Sequence, residues 1–144
     1  MDQKTFILWL ITLFCWGISP TIEKVGLRKI EPLTGLFIRT LAALLGITLA
    51  ILLTSSFQTL KTVGKRDILY LSLSGITAGF LGMYFYFSLL KIHQASQIVP
   101  LTATYPLVAT FLAILFLKEP LSLNKILGSF FIALGIYLLF KNSS

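Results

Sequence analysis

The chain has 144 residues, 56% of them hydrophobic and 12% charged, with a formal net charge of +7. A soluble domain carries about 25% charged residues, so an ordinary globular protein is excluded. A basic balance of this kind points to nucleic acid in a soluble chain. Here, however, Lys and Arg flank uncharged runs, where they meet lipid headgroups and set orientation, and nucleic-acid binding is excluded too.

A bilayer core takes about 20 apolar helical residues. The first run, residues 6–22, has no charge and predicts a span over about 5–25. Lys4 before it resembles a signal-peptide start, but "CWGISPTIEKVG" holds no A-x-A-like cleavage site, so the run is expected to remain as a mature helix. Cys15 is the only cysteine; it forms no disulfide framework and is assigned to packing. Pro32 suits the first turn of a second span, over about 33–54, interrupted only by Arg39. Residues 54–67 are the one connection of appreciable length. Spans over about 68–90 and 95–117 follow, joined by residues 91–94. Pro120 breaks the chain, and Ser122 is placed to cap a last span over about 122–140.

Long apolar runs without period-two alternation predict helices, not a barrel, and short connections make successive helices antiparallel neighbours. The expected fold class is an all-α integral membrane protein: one domain over 1–144, a five-transmembrane-helix bundle with short loops, multi-pass in the cell membrane. Ser72, Gly75, Gly79 and Gly82 make one smooth stripe on the third span. Ala42, Gly46 and Ala50 do so on the second, and Ser129 and Ala133 on the fifth, near Gly128 and Gly135. Small residues let membrane helices approach closely; bundle packing or a dimer seam would use them.

With the N-terminus in the cytoplasm, six basic residues fall inside (Lys4, Lys61, Lys65, Arg66, Lys118, Lys125) and five outside (Lys24, Arg28, Lys29, Lys91, Lys141). The positive-inside rule has almost nothing to act on. The chain is therefore expected to insert both ways up or to be oriented by a partner.

No GxxxxGK[ST] loop is present, nor a His/Cys/acid set with metal-ligand spacing, nor a Ser/His/acid arrangement. His93 is the single histidine and lies in a loop. No enzyme activity, metal or cofactor is expected.

What remains is polar decoration inside apolar helices. Pro20, Pro100 and Pro106 are expected to interrupt helical hydrogen bonding and free the carbonyls of Trp16, Ser96 and Thr102. In lipid such carbonyls need neighbours, hydroxyls or a water-filled cavity, and transporter sites use broken helices of this sort. Two readings stand: kinks healed by Ser and Thr, or a small-molecule cavity lined by Trp16, Ser19, Arg39, Tyr84, Ser96, Thr102 and Tyr105. Arg39 is the one charge well inside a span, costing about 2.5–3.5 kcal/mol at a helix centre. It either snorkels to the interface or pairs. Glu23 and Arg39 each lie eight residues from Glu31, near the middle of the turn; they should share a depth on adjacent helices and form an ion pair. Tyr70 and Tyr137 suit interface anchors, while Tyr84 and Tyr86 point to different faces of span three.

The stretch "WGISPTIEKVGLRKIEPLTGLFIRTLAALL" resembles the opening of an EamA-type domain of the drug/metabolite transporter superfamily, through Trp16, Gly17, Lys24, Pro32 and Arg39. The second half resembles it through Ala95-Ser96, Pro106, Leu117-Lys118-Glu119, Gly128 and Gly135. The resemblance implies a secondary transporter or exporter of small metabolites, often amino acids, working by alternating access. It implies a cavity lined mainly by the first four spans, and one half of a ten-helix fold built from inverted repeats. A single copy would have to pair, as an antiparallel homodimer or with a paralogous half-transporter. The small multidrug resistance relatives carry a buried glutamate in helix one; residues 6–22 have no acid, and Glu23 stands at their edge. Glu23 would carry a coupled proton, or coupling would use another ion or none. The rival classes are a non-transporting membrane scaffold subunit and a lipid-headgroup flippase component. A scaffold would tolerate loss of the Thr102, Thr104 and Tyr105 hydroxyls.

Overall fold

The computed structural model describes residues 2–54, 56–120 and 122–141, and among these every regular element is a helix. Helix α1 (Gln3–Gly26) runs 24 residues and keeps Pro20 inside it. Helix α2 (Pro32–Leu53) opens on Pro32, whose fixed φ suits the first turn and whose missing N–H has no helical partner there. The one connection of appreciable length contains a short helix, α3 (Ser56–Leu60). The third apolar helix starts at Lys65 rather than near residue 68. It is built of α4 (Lys65–Ser74), a π-helical segment (Gly75–Gly82) and α5 (Met83–Ile92). The fourth comprises α6 (Ala95–Thr102) and α7 (Tyr105–Leu117), and α8 spans Leu123–Lys141.

Four helical stretches are long and apolar enough to cross a bilayer: Gln3–Gly26, Pro32–Leu53, Lys65–Ile92 and Ala95–Leu117; the apolar part of α8, Leu123–Leu138, is shorter. The chain is thus an all-helical membrane protein. Large apolar side chains such as Leu53 (77% exposed) and Phe14 (63%) face outward along its helices. This inverts the soluble pattern because lipid tails are as apolar as leucine and exert no hydrophobic pressure between helices. Close approach and polar bonds must hold the helices instead.

The chain falls into two compact units, residues 1–92 and 93–144. In the first, α5 packs on α1 and α2. Leu27, Leu36, Phe87 and Leu90 are among its buried apolar side chains, at 0–3% exposure. Gly35 marks the close approach: a Cβ there would stand 2.7 Å from Leu27 Cδ2 and 3.6 Å from Phe87 Cδ2. Gly35→Ala should lower stability by about 1–3 kcal/mol, since a buried leucine has nowhere to swing. Gly46→Ala, with nothing within 4 Å, should not. Thermal unfolding in detergent compares the two.

The stripe on the third span is not one smooth α-helical row. Gly75–Gly82 is π-helical, so its side chains do not follow a 3.6-residue period. Gly82 turns toward its own backbone: a Cβ there would meet the Thr77 carbonyl oxygen at 3.2 Å. Where α4 passes into this segment, Thr77 Oγ1 donates to the carbonyls of Leu73 (2.9 Å) and Ser74 (3.2 Å).

In the second unit, α8 packs on α6 and α7. Helix α7 ends at Lys118, whose φ of 54° is left-handed, with the N–H groups of Lys118 and Glu119 both directed to Ala113 O. This is a left-handed helix stop of the kind glycine favours, made here without glycine. Lys118→Gly should therefore stabilise by about 1 kcal/mol and Lys118→Val destabilise, as read by the same thermal melts. Beyond the turn, the Lys125 N–H donates to Ser122 Oγ (3.3 Å), and Lys125 Nζ bridges to Glu119 Oε2 (3.1 Å).

Candidate functional site

The polar chemistry of the first unit gathers where α1, the α1–α2 turn, α2 and the end of α5 meet. Arg39, two turns into α2, donates from Nε to Glu23 Oε1 on α1 at 3.0 Å. The Glu23 side chain is only 11% exposed, against 45% for Arg39. Tyr86 on α5 lies within electrostatic range of both. The next residue along α1, Lys24, donates from Nζ to the carbonyls of Leu90 and Lys91 at the C-terminal end of α5. Lys91 in turn donates from Nζ to the Ile30 carbonyl in the α1–α2 turn. The last carbonyls of a helix lack intrahelical donors and carry its negative dipole end, so an ammonium group satisfies both demands. Lys24 and Lys91 were expected only to flank spans at the headgroups; Lys24 instead caps α5, and Lys91 ties the end of α5 to the α1–α2 turn.

A groove of about 430 Å³ separates α2 from the π-helical segment, lined by Leu33, Leu36, Phe37, Thr40, Gly75, Gly79 and Phe80. Its size lies within the range of small-molecule sites, and Thr40 supplies its one hydroxyl. None of the seven residues expected to line a cavity belongs to it. Trp16 is 67% exposed; Ser19 and Tyr84 are half-buried. Ser19 Oγ donates to the Cys15 carbonyl (3.0 Å) and Ser88 Oγ to the Tyr84 carbonyl (2.8 Å), both within their own helices. Phe37, Thr40 and Phe80 were missed; the signal available was the Gly75/Gly79 spacing, which reads equally well as packing.

The fourth span breaks differently from the sequence expectation. Pro100 lies inside α6, but Pro106 occupies the first turn of α7, where it opens a helix instead of interrupting one. The chain leaves the helix after Thr102 and re-enters at Tyr105. Thr102 Oγ1 donates to the carbonyls of Ile98 and Val99 (both 3.0 Å), and Thr104 Oγ1 to that of Leu101 (2.7 Å). These hydroxyls reinforce the end of α6, beside the Ala103 N–H on Val99 O and the Thr104 N–H on Leu101 O. Ser96 is exposed, and Tyr105 is 60% exposed. Pro20 is buried within an unbroken α1.

Long apolar helices, a broken span and charged groups turned inward at helix ends define a multi-pass integral membrane protein. The chain belongs to the EamA-like transporter family, which matches residues 3–141. It is similar to an uncharacterized transporter of a Sinorhizobium species, encoded in the cobO 3' region, at 32% identity over 96% of this chain and 98% of the relative. An uncharacterized protein of Methanocaldococcus jannaschii is 28% identical over 96% of this chain and 97% of its own length. The uncharacterized inner membrane transporter YhbE of Escherichia coli K12 is also 28% identical, over 95% of this chain but only 43% of its own length. No solved structure matches the chain. Family membership makes it a multi-pass cell-membrane protein of the transporter class, which points away from an enzyme.

Proposed function

We infer that the chain is a half-size secondary transporter or exporter of small organic metabolites, amino-acid-like or drug-like, working by alternating access as a dimer. The observation that carries this reading is the pair of length relations. The same sequence matches one transporter over 98% of its length and another over 43%, as expected if one copy of a repeated unit is used in the first and more than one in the second. The domain over 1–144 then has five spans, with α8 the fifth, and the partner is an inverted second copy or a paralogous half. Trp16, Ser19, Arg39, Tyr84, Ser96, Thr102 and Tyr105 face the substrate path, Pro20 and Pro100 loosen the helices that carry them, and Glu23 with Arg39 forms the coupling pair.

The test is uptake of a panel of labelled amino acids and related metabolites into proteoliposomes, with and without a proton gradient. Uptake that falls at least tenfold in a Trp16→Ala/Tyr105→Phe variant supports the reading. No uptake across the panel by folded protein removes it and leaves the scaffold class. Lipid-headgroup translocation without metabolite uptake favours the flippase class.

A further inference from the structure

The third span is made of two α-helical halves joined by eight π-helical residues, Gly75–Gly82. A π-helix is rare; where it occurs it is usually a single turn, often at a functional site. Three of these eight residues are glycine. The half beyond the segment, α5, is bound to the rest of its unit: it packs on α1 and α2, buries Phe87 and Leu90, receives Lys24 on its terminal carbonyls and sends Lys91 to Ile30. The half before it, α4, buries no side chain. Between α2 and the π turns lies the groove of about 430 Å³, with Gly75 and Gly79 in its wall.

We propose that Gly75–Gly82 is a switchable joint: α5 is fixed to the α1–α2 hairpin, and α4 turns against it as π turns convert to α turns, opening and closing the groove beside α2. A membrane helix cannot hinge by exposing its backbone, because lipid offers no partner for a released N–H or carbonyl. Exchanging i→i−5 bonds for i→i−4 bonds keeps the N–H groups paired while changing the register, and leaves only junction carbonyls to change partner. Glycine at 75 and 79 leaves no side chain to obstruct the exchange. The Thr77 hydroxyl, already bonded to the Leu73 and Ser74 carbonyls, covers the acceptors at the junction as their N–H partners change. One residue of register turns α4 by about 100° and moves a label at the helix surface by about 8 Å. The use of this motion as a gate rests on the transport reading above; the motion itself does not.

The experiment is a pair of nitroxide distance measurements by pulsed electron resonance in liposomes, in a Cys15→Ser background, with labelled chains diluted by unlabelled ones. Leu49→Cys with Leu71→Cys reports α2 against α4, and Ile38→Cys with Phe85→Cys reports α2 against α5; all four positions are exposed. The first pair should give two distances separated by about 8 Å and the second pair one. Gly75→Ala/Gly79→Ala, whose added methyl groups meet nothing within 4 Å, should fold and collapse the first pair to one distance. A single α2–α4 distance in the unsubstituted protein overturns the proposal. So do two distances that survive the alanines, or equal splitting in both pairs. Two distances in a protein that moves no metabolite support the joint while removing the transporter.

Discussion

Glu23→Lys and Arg39→Glu should each abolish accumulation of folded protein, and the double reversal should restore most of it. Arg39 stands about two turns inside a bilayer-spanning helix, and its Nε–Oε1 bond to Glu23 is 3.0 Å. Either single change places two like charges at that distance, with Glu23's side chain only 11% exposed. Breaking a fully buried pair costs about 3–5 kcal/mol, and a like-charge contact inside the bilayer adds to that. Arg39 keeps 45% exposure, which allows partial escape toward the headgroups, so the loss should be severe but rescuable. Folded yield by size-exclusion fluorescence reads all four variants. A double reversal no better than the single ones would mean that the pair does not hold α1 to α2.

Lys24→Met should be the second most damaging change. The methionine keeps the apolar reach of the side chain but leaves the Leu90 and Lys91 carbonyls without the ammonium donor they share. Hydrogen bonds to charged groups contribute about 1.5–3 kcal/mol each, and the lipid side of α5 supplies no substitute donor. A fall in Tm of roughly 10 °C follows for a domain of this size. Lys91→Met, which removes one bond to Ile30, should cost less. An unchanged melting temperature in Lys24→Met would show that the bonds from Lys24 do not hold α5 in place.

The helical class was open to sequence reasoning because lipid imposes a coarse rule: about 20 apolar residues and no unpaired backbone. The same rule made the uncharged runs legible to within a few residues. Counting outward from Glu31 puts Glu23 and Arg39 at one depth, and their side chains lie 3.0 Å apart. What counting does not reveal is the fate of backbone carbonyls. Lys24 and Lys91 look like interface charges because nothing local says that another helix ends beside them; those bonds join residues 61–67 positions apart. Pro106 looks like an interior break until Thr102 and Thr104 turn their hydroxyls back on Ile98, Val99 and Leu101 and close the preceding helix first. The π turns are hidden for a similar reason: glycine at 75, 79 and 82 serves close packing and a wide helix equally well.

These corrections bear on orientation as well. Lys24 and Lys91 belong to the five basic residues assigned to the outer face, and both are capped by carbonyls in the folded protein. Their ammonium groups keep their charge there, so the near-even count of basic residues stands. On the proposed transport reading, an inverted pair of chains would let a single copy supply both halves of the substrate path.

Dual-reporter mapping at the C-terminus tests that pairing directly, with one tag active only in the cytoplasm and one only outside, each fused after Ser144 in otherwise identical chains. Comparable activity from both tags is the predicted result, since a population inserted both ways up can assemble the inverted dimer. Activity from one tag alone would contradict self-pairing of inverted copies and leave the second half to a different chain.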